Sequence, residues 1–356
     1  MATVGIIVNP HAGKDIRRLI SAAGHTSDAV KIGILRRVAA GAIEQGATRL
    51  LLSTDTHHLA ERALEGLDST AAIEFIESPA TGSHLDTIAA ATGMWKQTAD
   101  VVVVLGGDGT CRDVATGWPQ VPLIAISTGT NNVFPTAVDG TTAGVAAALI
   151  ARGDVDLVAV STVAKRITLH VDDPRAHTII TETALVEAAL IDTTFVGARA
   201  VTDPAGIRWV VACIANPAST GLASIAGRVY PVSRTAEGGV VIHLVDGHLG
   251  GGHRHVRVPL APGSFATLSV AAVEPLADSA PITLAGGGVL AFDGERTLPV
   301  SAEATITITV SATGPRVIDT DATLACAARD HRFDLATADD AANPSSYVSR
   351  KDHHGD

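Results

Sequence analysis

Aromatic residues make up only 3% of the 356-residue chain. The core must therefore be assembled from Ala, Val, Ile and Leu, a composition suited to parallel sheets covered by helices. Cysteine is scarce, and Cys111, Cys213 and Cys326 stand far apart, which argues against a disulfide framework and for a reduced, cytoplasmic setting. No uncharged apolar window is long enough to cross a bilayer. Basic clusters are missing too: beyond the pairs at 17–18 and 36–37, nothing offsets a formal net charge of −11. That balance argues against nucleic acid as a partner and against adsorption to an anionic membrane. The opening stretch MATVGIIVNPHAGKD has no basic leader, and its apolar run stops at Asn9 and Pro10. It reads as a first strand rather than a signal peptide.

With 46% apolar and 18% charged residues, the chain can bury a large core and is expected to divide in two. Residues 1–155 alternate apolar β-like runs (3–8, 48–53, 71–77, 100–105, 121–126) with helical segments (28–45, 57–67, 83–97, 109–117, 140–151). Such alternation predicts an α/β domain with a doubly wound, mainly parallel sheet. Residues 156–311 change to shorter runs broken by Gly and Pro, at 165–171, 178–191, 207–214, 239–245, 254–260, 265–272, 288–292 and 303–310. These predict a β-rich, mostly antiparallel second domain. Residues 337–356 are polar and rich in breakers, and read as a mobile tail.

Ligands of doubly wound sheets bind at the carboxyl ends of the strands, and three polar, glycine-bearing turns fall there. The run VVVVLGGDGTCRD places Asp108 between Gly106, Gly107 and Gly109, followed by Thr110, at the mouth of a helix. Glycines that let a bulky anion approach, and helix amides that face it, make a phosphate cradle. Asp108 would then hold Mg2+ or accept the proton of an attacking hydroxyl, or else form an Asx-turn or N-cap for its own helix. The turn IVNPHAGK offers Asn9, Gly13 and the cation Lys14; ISTGTNN offers Ser127, Thr128, Gly129, Thr130, Asn131 and Asn132. A parallel sheet brings all three turns to one crevice.

Other polar groups read more plainly. His243, His248, His253 and His255 match no zinc spacing and suit a solvated hairpin. His57 and His58 open a helix capped by Thr56 or Asp55. Cys111 lies inside the cradle helix, where the helix dipole would lower its pKa, and fills space rather than attacking substrate.

Together, NPHAGKDIRRL, GSHLDT, VVVVLGGDGTCRD, ISTGTNNVFP, NPASTGLASIAG (216–227) and LAFDGERTLPV (290–300) resemble the superfamily of NAD kinases and diacylglycerol or sphingosine kinases. Within it they look like the acetoin-catabolism protein X family. The resemblance spans most of residues 4–310. It implies an Mg-ATP-dependent kinase with a cleft between its domains, the first domain completed by residues 312–336, and homo-oligomers formed through the second. By the same resemblance Asn9 to Lys14 and Gly106 to Thr110 would meet ATP phosphates. Asp108 would be general base or metal organiser, and Glu187, Ser219, Thr220, Asp293 and Glu295 would meet the substrate. The implied acceptor is a small hydroxylated metabolite, by default NAD or NADH. A lipid acceptor and a non-catalytic, nucleotide-binding accessory role in acetoin catabolism are the alternatives. Two positions depart from the pattern: Val133 replaces the acidic residue of the lipid kinases, and Val186 replaces the Asn of an Asn-Glu pair in NAD kinases.

Overall fold

A computed structural model describes residues 1–13, 26–129, 132–193, 204, 206–245, 254–293 and 296–334. The expected tail at 337–356 lies outside the described residues. The first domain contains β1 (Thr3–Val8), β2 (Arg49–Ser53), β3 (Ala72–Ile76), β4 (Val101–Gly106), β5 (Pro122–Ser127) and β6 (Ser161–Val163), with β18 (Arg316–Ile318) returning from the far end of the chain. They form one sheet in the order β3-β2-β1-β4-β5-β18-β6. Every neighbouring pair is parallel except β18 with β6. The order reverses between β1 and β4, so the crevice of this doubly wound sheet opens between their carboxyl ends.

Both faces of the sheet are covered, which explains the unbroken valines. Val101, Val103 and Leu105 join a core with α1 (Asp28–Glu44), α2 (Leu59–Leu64), α5 (Gly140–Ala151) and α7 (Thr320–Arg329). Val102 and Val104 face the other way, toward α3 (His84–Lys96) and α4 (Asp108–Gly117). That second core runs on without a break into the second domain, through Ile167, Leu169, Leu290 and Phe292. Helices α3 and α4 are thus packed between the domains.

The second domain holds two antiparallel sheets. One joins β7 (Arg166–Asp173), β8 (Thr178–Ala184), β14 (Ile282–Ala285) and β17 (Thr305–Ser311) in the order β14-β17-β7-β8. The other joins β9 (Glu187–Ile191), β10 (Ile207–Ala212), β11 (Gly239–Val245), β12 (Arg254–Ala261), β13 (Ser264–Leu276), β15 (Gly288–Phe292) and β16 (Arg296–Val300) in the order β12-β13-β11-β10-β9-β15-β16. Helix α6 (Ala223–Val229) packs on its outer face through Ile225, Ala226 and Val229.

Several expectations need correction. The run at 178–191 is two strands, β8 and β9, lying in different sheets, because the chain turns a corner at Leu185 and Val186. The histidine-bearing strands β11 and β12 form no hairpin: both pair with β13, which lies between them. His243 meets Glu274, His255 meets Ser269, and His248 and His253 lie outside the described residues. The helix expected at 57–67 is shortened to α2 at both ends: His58 before it is left-handed, φ 53°, and Glu65 after it is no longer helical, ψ 120°. Asp55 nonetheless accepts the His57 and Leu59 amides at 2.8 and 2.9 Å, as a cap would.

Helices α1 and α5 approach closely enough to exclude side chains. A Cβ on Gly144 would stand 2.1 Å from the Val38 carbonyl oxygen, whereas one on Gly33, also in α1, would meet nothing nearer than 3.7 Å. Gly144→Ala is expected to destabilise the chain by about 1–3 kcal/mol through overpacking. Gly33→Ala should stabilise it by about 0.5–1 kcal/mol through helix propensity. Urea midpoints of the two variants against the parent check both signs.

Candidate functional site

At the switch point, the Asn9 amide donates to the Leu105 carbonyl at 3.0 Å, so β1 and β4 stay zipped to their ends. The Asn9 side chain then crosses the crevice, its Nδ2 donating to Thr110 Oγ1 at 2.9 Å, while its Oδ1 accepts the His11 amide at 2.8 Å. Beneath this turn lies Lys31 of α1, fully buried, whose Nζ donates to the carbonyls of Asn9 (3.0 Å) and Pro10 (2.7 Å). A cation inserted under a peptide turn fixes it with charge-assisted bonds. Nothing in the sequence distinguishes Lys31 from a surface lysine. Gly13 is left-handed, φ 72°; Lys14 lies outside the described residues.

The glycines at the end of β4 serve unlike purposes. A Cβ on Gly106 would fall 2.4 Å from Thr110 Cβ, so glycine there lets the helix start at once. Cβ atoms on Gly107 and Gly129 would stand 3.0 and 2.4 Å from Asn132 Oδ1. The two glycines therefore open a slot filled by the Asn132 amide, whose Nδ2 donates to Ser127 Oγ at 2.5 Å. Gly109 alone stays open, with nothing nearer than 3.8 Å to its Cβ position. Thr128 is buried and its amide donates to the Gly106 carbonyl at 3.0 Å; Thr130 and Asn131 lie outside the described residues.

Asp108 neither caps its own helix, whose N-cap is Gly107, nor makes a local turn. Its carboxylate reaches the loop after β5. Oδ1 accepts the Phe134 amide at 2.7 Å and the Val133 amide at 3.0 Å; Oδ2 accepts the Val133 amide at 3.1 Å. The residue is only 8% exposed. Burial pushes its pKa up from 3.8 to about 7, with the Asp293 charge adding to the rise and the Phe134 and Val133 amides opposing it. Cys111, one turn on, is fully buried, and burial drives its thiol well above the ordinary range, contrary to the lowering expected from the helix dipole.

A second carboxylate repeats the device from the other domain. Asp293, left-handed at φ 44°, accepts the amides of Leu185 (3.0 Å), Val186 (2.9 Å) and Glu187 (3.3 Å), and its own amide donates to the Glu187 carbonyl at 3.1 Å. This capture turns the corner that separates β8 from β9. Val186 is fully buried and Glu187 4% exposed, so both belong to the corner. Burial raises the Asp293 pKa, against the opposing pull of Arg112 and the three amides.

Arg112 and Asp113 of α4, which the sequence reading passed over, tie the two devices together. Only 4% exposed, Arg112 donates through Nη2 to Asp113 Oδ1 at 2.8 Å and through Nη1 to the Phe292 carbonyl at 3.1 Å. The available signal was a charged pair inside a helix flanked by core residues. Ser219 and Thr220 lie apart, in the turn before α6, where the Ser219 amide donates to the Asn216 carbonyl at 3.0 Å. Glu295 lies outside the described residues.

Next to Asp108 the crevice widens into a cleft of about 370 Å3. Gly109, Thr110 and Arg112 of α4 form one wall, Asn9 and His11 the floor. Gly82, Ser83 and His84 at the start of α3 form a second wall, and Arg296 of β16 reaches in from the other domain. Two helix N-termini therefore face one space, a setting that favours anions. Among the described residues no three His, Cys, Asp or Glu side chains converge as a metal cage. No described helix is long and apolar enough to cross a membrane.

Because the folded state holds Asp108 with a raised pKa, protonated Asp108 favours folding below pH 4, and that contribution is lost as pH rises through about 7. Asp108→Asn keeps an oxygen for the Val133 and Phe134 amides and cannot ionise. Its stability relative to the parent should therefore climb between pH 4 and 8, by an amount on the order of a few kcal/mol. Urea unfolding at pH 5 and pH 8 measures the change.

Comparison with known proteins bears on family and fold. Residues 4–155 match the family model of the ATP-NAD kinase N-terminal domain, and residues 165–313 that of the acetoin catabolism protein X C-terminal domain. Acetoin catabolism protein X of Cupriavidus necator is 34% identical over 338 residues, covering 92% of this chain and 93% of that protein. An uncharacterized protein of Archaeoglobus fulgidus is 34% identical over 133 residues, 37% of this chain and 36% of its own. Among solved structures, yeast NADH kinase complexed with NADH superposes with a TM-score of 0.52 at 13% identity, covering 95% of this chain and 89% of that one, and so shares its fold. With a relative so similar along nearly its whole length, the chain belongs to the acetoin catabolism protein X family, on an NAD kinase-like fold.

Proposed function

We propose that this chain is a phosphotransferase that moves the terminal phosphoryl group of Mg-ATP to a hydroxyl of a small metabolite, with NAD or NADH the default acceptor. The observation that carries the reading is Asp108: a buried carboxylate with a pKa of about 7, one residue from a cleft faced by two helix N-termini. A group of that pKa is half protonated near neutrality, where a general base works best. Since phosphoryl transfer passes through a loose transition state, Asp108 need mainly orient the acceptor hydroxyl while the α4 N-terminus steadies the phosphate. NAD or NADH as acceptor is supported by the kinase domain matched at 4–155 and by the fold shared with yeast NADH kinase.

The donor set fits Mg2+ only as an ion carried on nucleotide phosphates. Asp113 lines the cleft but is already paired with Arg112, and Asp108, one residue before the lining residue Gly109, would have only Oδ2, which accepts a single amide, to offer. Bound there, Mg2+ would neutralise charge on the phosphates. A second reading, a nucleotide-binding accessory protein that moves no phosphate, is favoured by one observation: both oxygens of Asp108 already accept backbone amides.

Transfer of labelled phosphate from Mg-ATP to NAD, NADH and diacylglycerol in parallel separates these readings. The expected result is phosphorylated dinucleotide, with Asp108→Asn slower by about 100-fold or more and its ATP affinity retained. ATP binding without transfer to any hydroxylated acceptor would favour the accessory reading. Transfer to diacylglycerol alone would make the acceptor a lipid.

A further inference from the structure

Arg296 and Thr297 line the cleft from β16, and the Arg296 guanidinium is held in a fixed attitude. Nε donates to Glu182 Oε1 of β8 at 3.1 Å, and Nη2 bonds the same oxygen. With that edge anchored, Nη1 is directed across the domain boundary to His84 Nε2, 2.8 Å away. This bond joins an ionised donor to an imidazole, although an anionic oxygen is the partner that strengthens such a bond most. The other guanidinium in the cleft is engaged throughout, Arg112 being bonded to Asp113 and to the Phe292 carbonyl. Among the described residues of the cleft, Arg296 is therefore the guanidinium with an N–H that a ligand could take over.

His84 strengthens the case from the first domain. It is the first residue of α3, set behind the N-cap Ser83, so its ring stands at the positive end of a 13-residue helix. It is exposed, and its surroundings are mixed in sign: Arg296 lies against it, and Asp113 of α4 lines the same cleft. Glu182 lies behind Arg296. An anion entering between the two rims would meet the Arg296 N–H, the His84 ring and the α4 N-terminus at Gly109 and Thr110.

We infer that Arg296 and His84 form a two-domain clamp for the terminal phosphate of the donor nucleotide, which displaces the Arg296–His84 hydrogen bond and bridges α3 to β16. This inference rests on the reading of the cleft as a nucleotide site. Gly109 and Thr110 line the cleft together with Arg296 and His84, so a terminal phosphoryl group seated at the α4 N-terminus is the one the clamp reaches. Selectivity for a triphosphate over a diphosphate then resides in Arg296, and Glu182 is the positioning residue that aims it.

Calorimetric titration of the full chain with a non-hydrolysable ATP analogue and with ADP, each with Mg2+, tests the clamp. Arg296→Met should weaken binding of the triphosphate about tenfold and leave ADP within about twofold. His84→Ala, at an exposed position that the fold does not need, should shift the same ratio in the same direction by a smaller factor. If Arg296→Met fails to fold by circular dichroism, the His84 variant carries the test. Equal weakening of both ligands, or none, in a parent that binds both overturns the clamp and leaves the nucleotide site standing. Absence of binding to either nucleotide by the parent overturns that site and the clamp with it.

Discussion

Two carboxylates buried at the domain junction, each solvated by peptide N–H groups instead of water, set the geometry of everything around them. Burying an ionised carboxylate costs several kcal/mol, and amide bonds to a charged acceptor return about 1.5–3 kcal/mol each. Two amides at Asp108 leave that cost partly unmet, and the pKa rises to about 7. In turn, the amides are fixed by the carboxylates. The loop at Val133 and Phe134 is held over the first residue of α4, and the corner at 185–187 is folded around Asp293.

From these anchors the cleft follows by packing. Helix α4 lies in the core shared by both domains, so the Arg112 bond to the Phe292 carbonyl fixes the helix bearing Asp108 against the strand that leads into Asp293. The β1 turn is set from below by Lys31 and from the side by the Asn9 bond to Thr110. Three strand ends and one corner of the second domain are thereby brought to a single crevice at the place where the strand order reverses. Val133 and Val186 have apolar side chains and act through their backbone amides, one for each carboxylate. The carboxylate cradles are therefore built from main chain rather than from side chains.

Much of this was legible in the sequence where physics is local. Four consecutive valines ending in two glycines mark a strand covered on both faces, and alternation of strand and helix fixes a parallel sheet. Helices at 28–45, 83–97 and 140–151 were readable to within a residue or so, with Ser27, Ser83 and Asp139 capping them in the structure. What escaped was tertiary. Leu185 and Val186 look like strand residues, and only a carboxylate more than 100 positions away turns them into a corner. Strands β6 and β18 have three residues each, too short for any period to show. Asp108 announced itself by its glycines, but whether it would bond its own helix or a distant loop depended on Val133 and Phe134, 25 and 26 positions on. Arg112, Lys31, His84 and Arg296 are ordinary polar residues whose burial or pairing no pattern of spacing reveals.

The most direct measurement is a pH titration of the aspartate side-chain carboxyl carbons by carbon-13 NMR, with Asp108→Asn to assign the Asp108 resonance. Asp108 is expected to titrate near pH 7, held there by burial against the pull of two backbone amides. Titration near pH 4, as for a solvated aspartate, would mean that water reaches the carboxylate, and a proton acceptor poised for neutral pH would then have no basis in this fold.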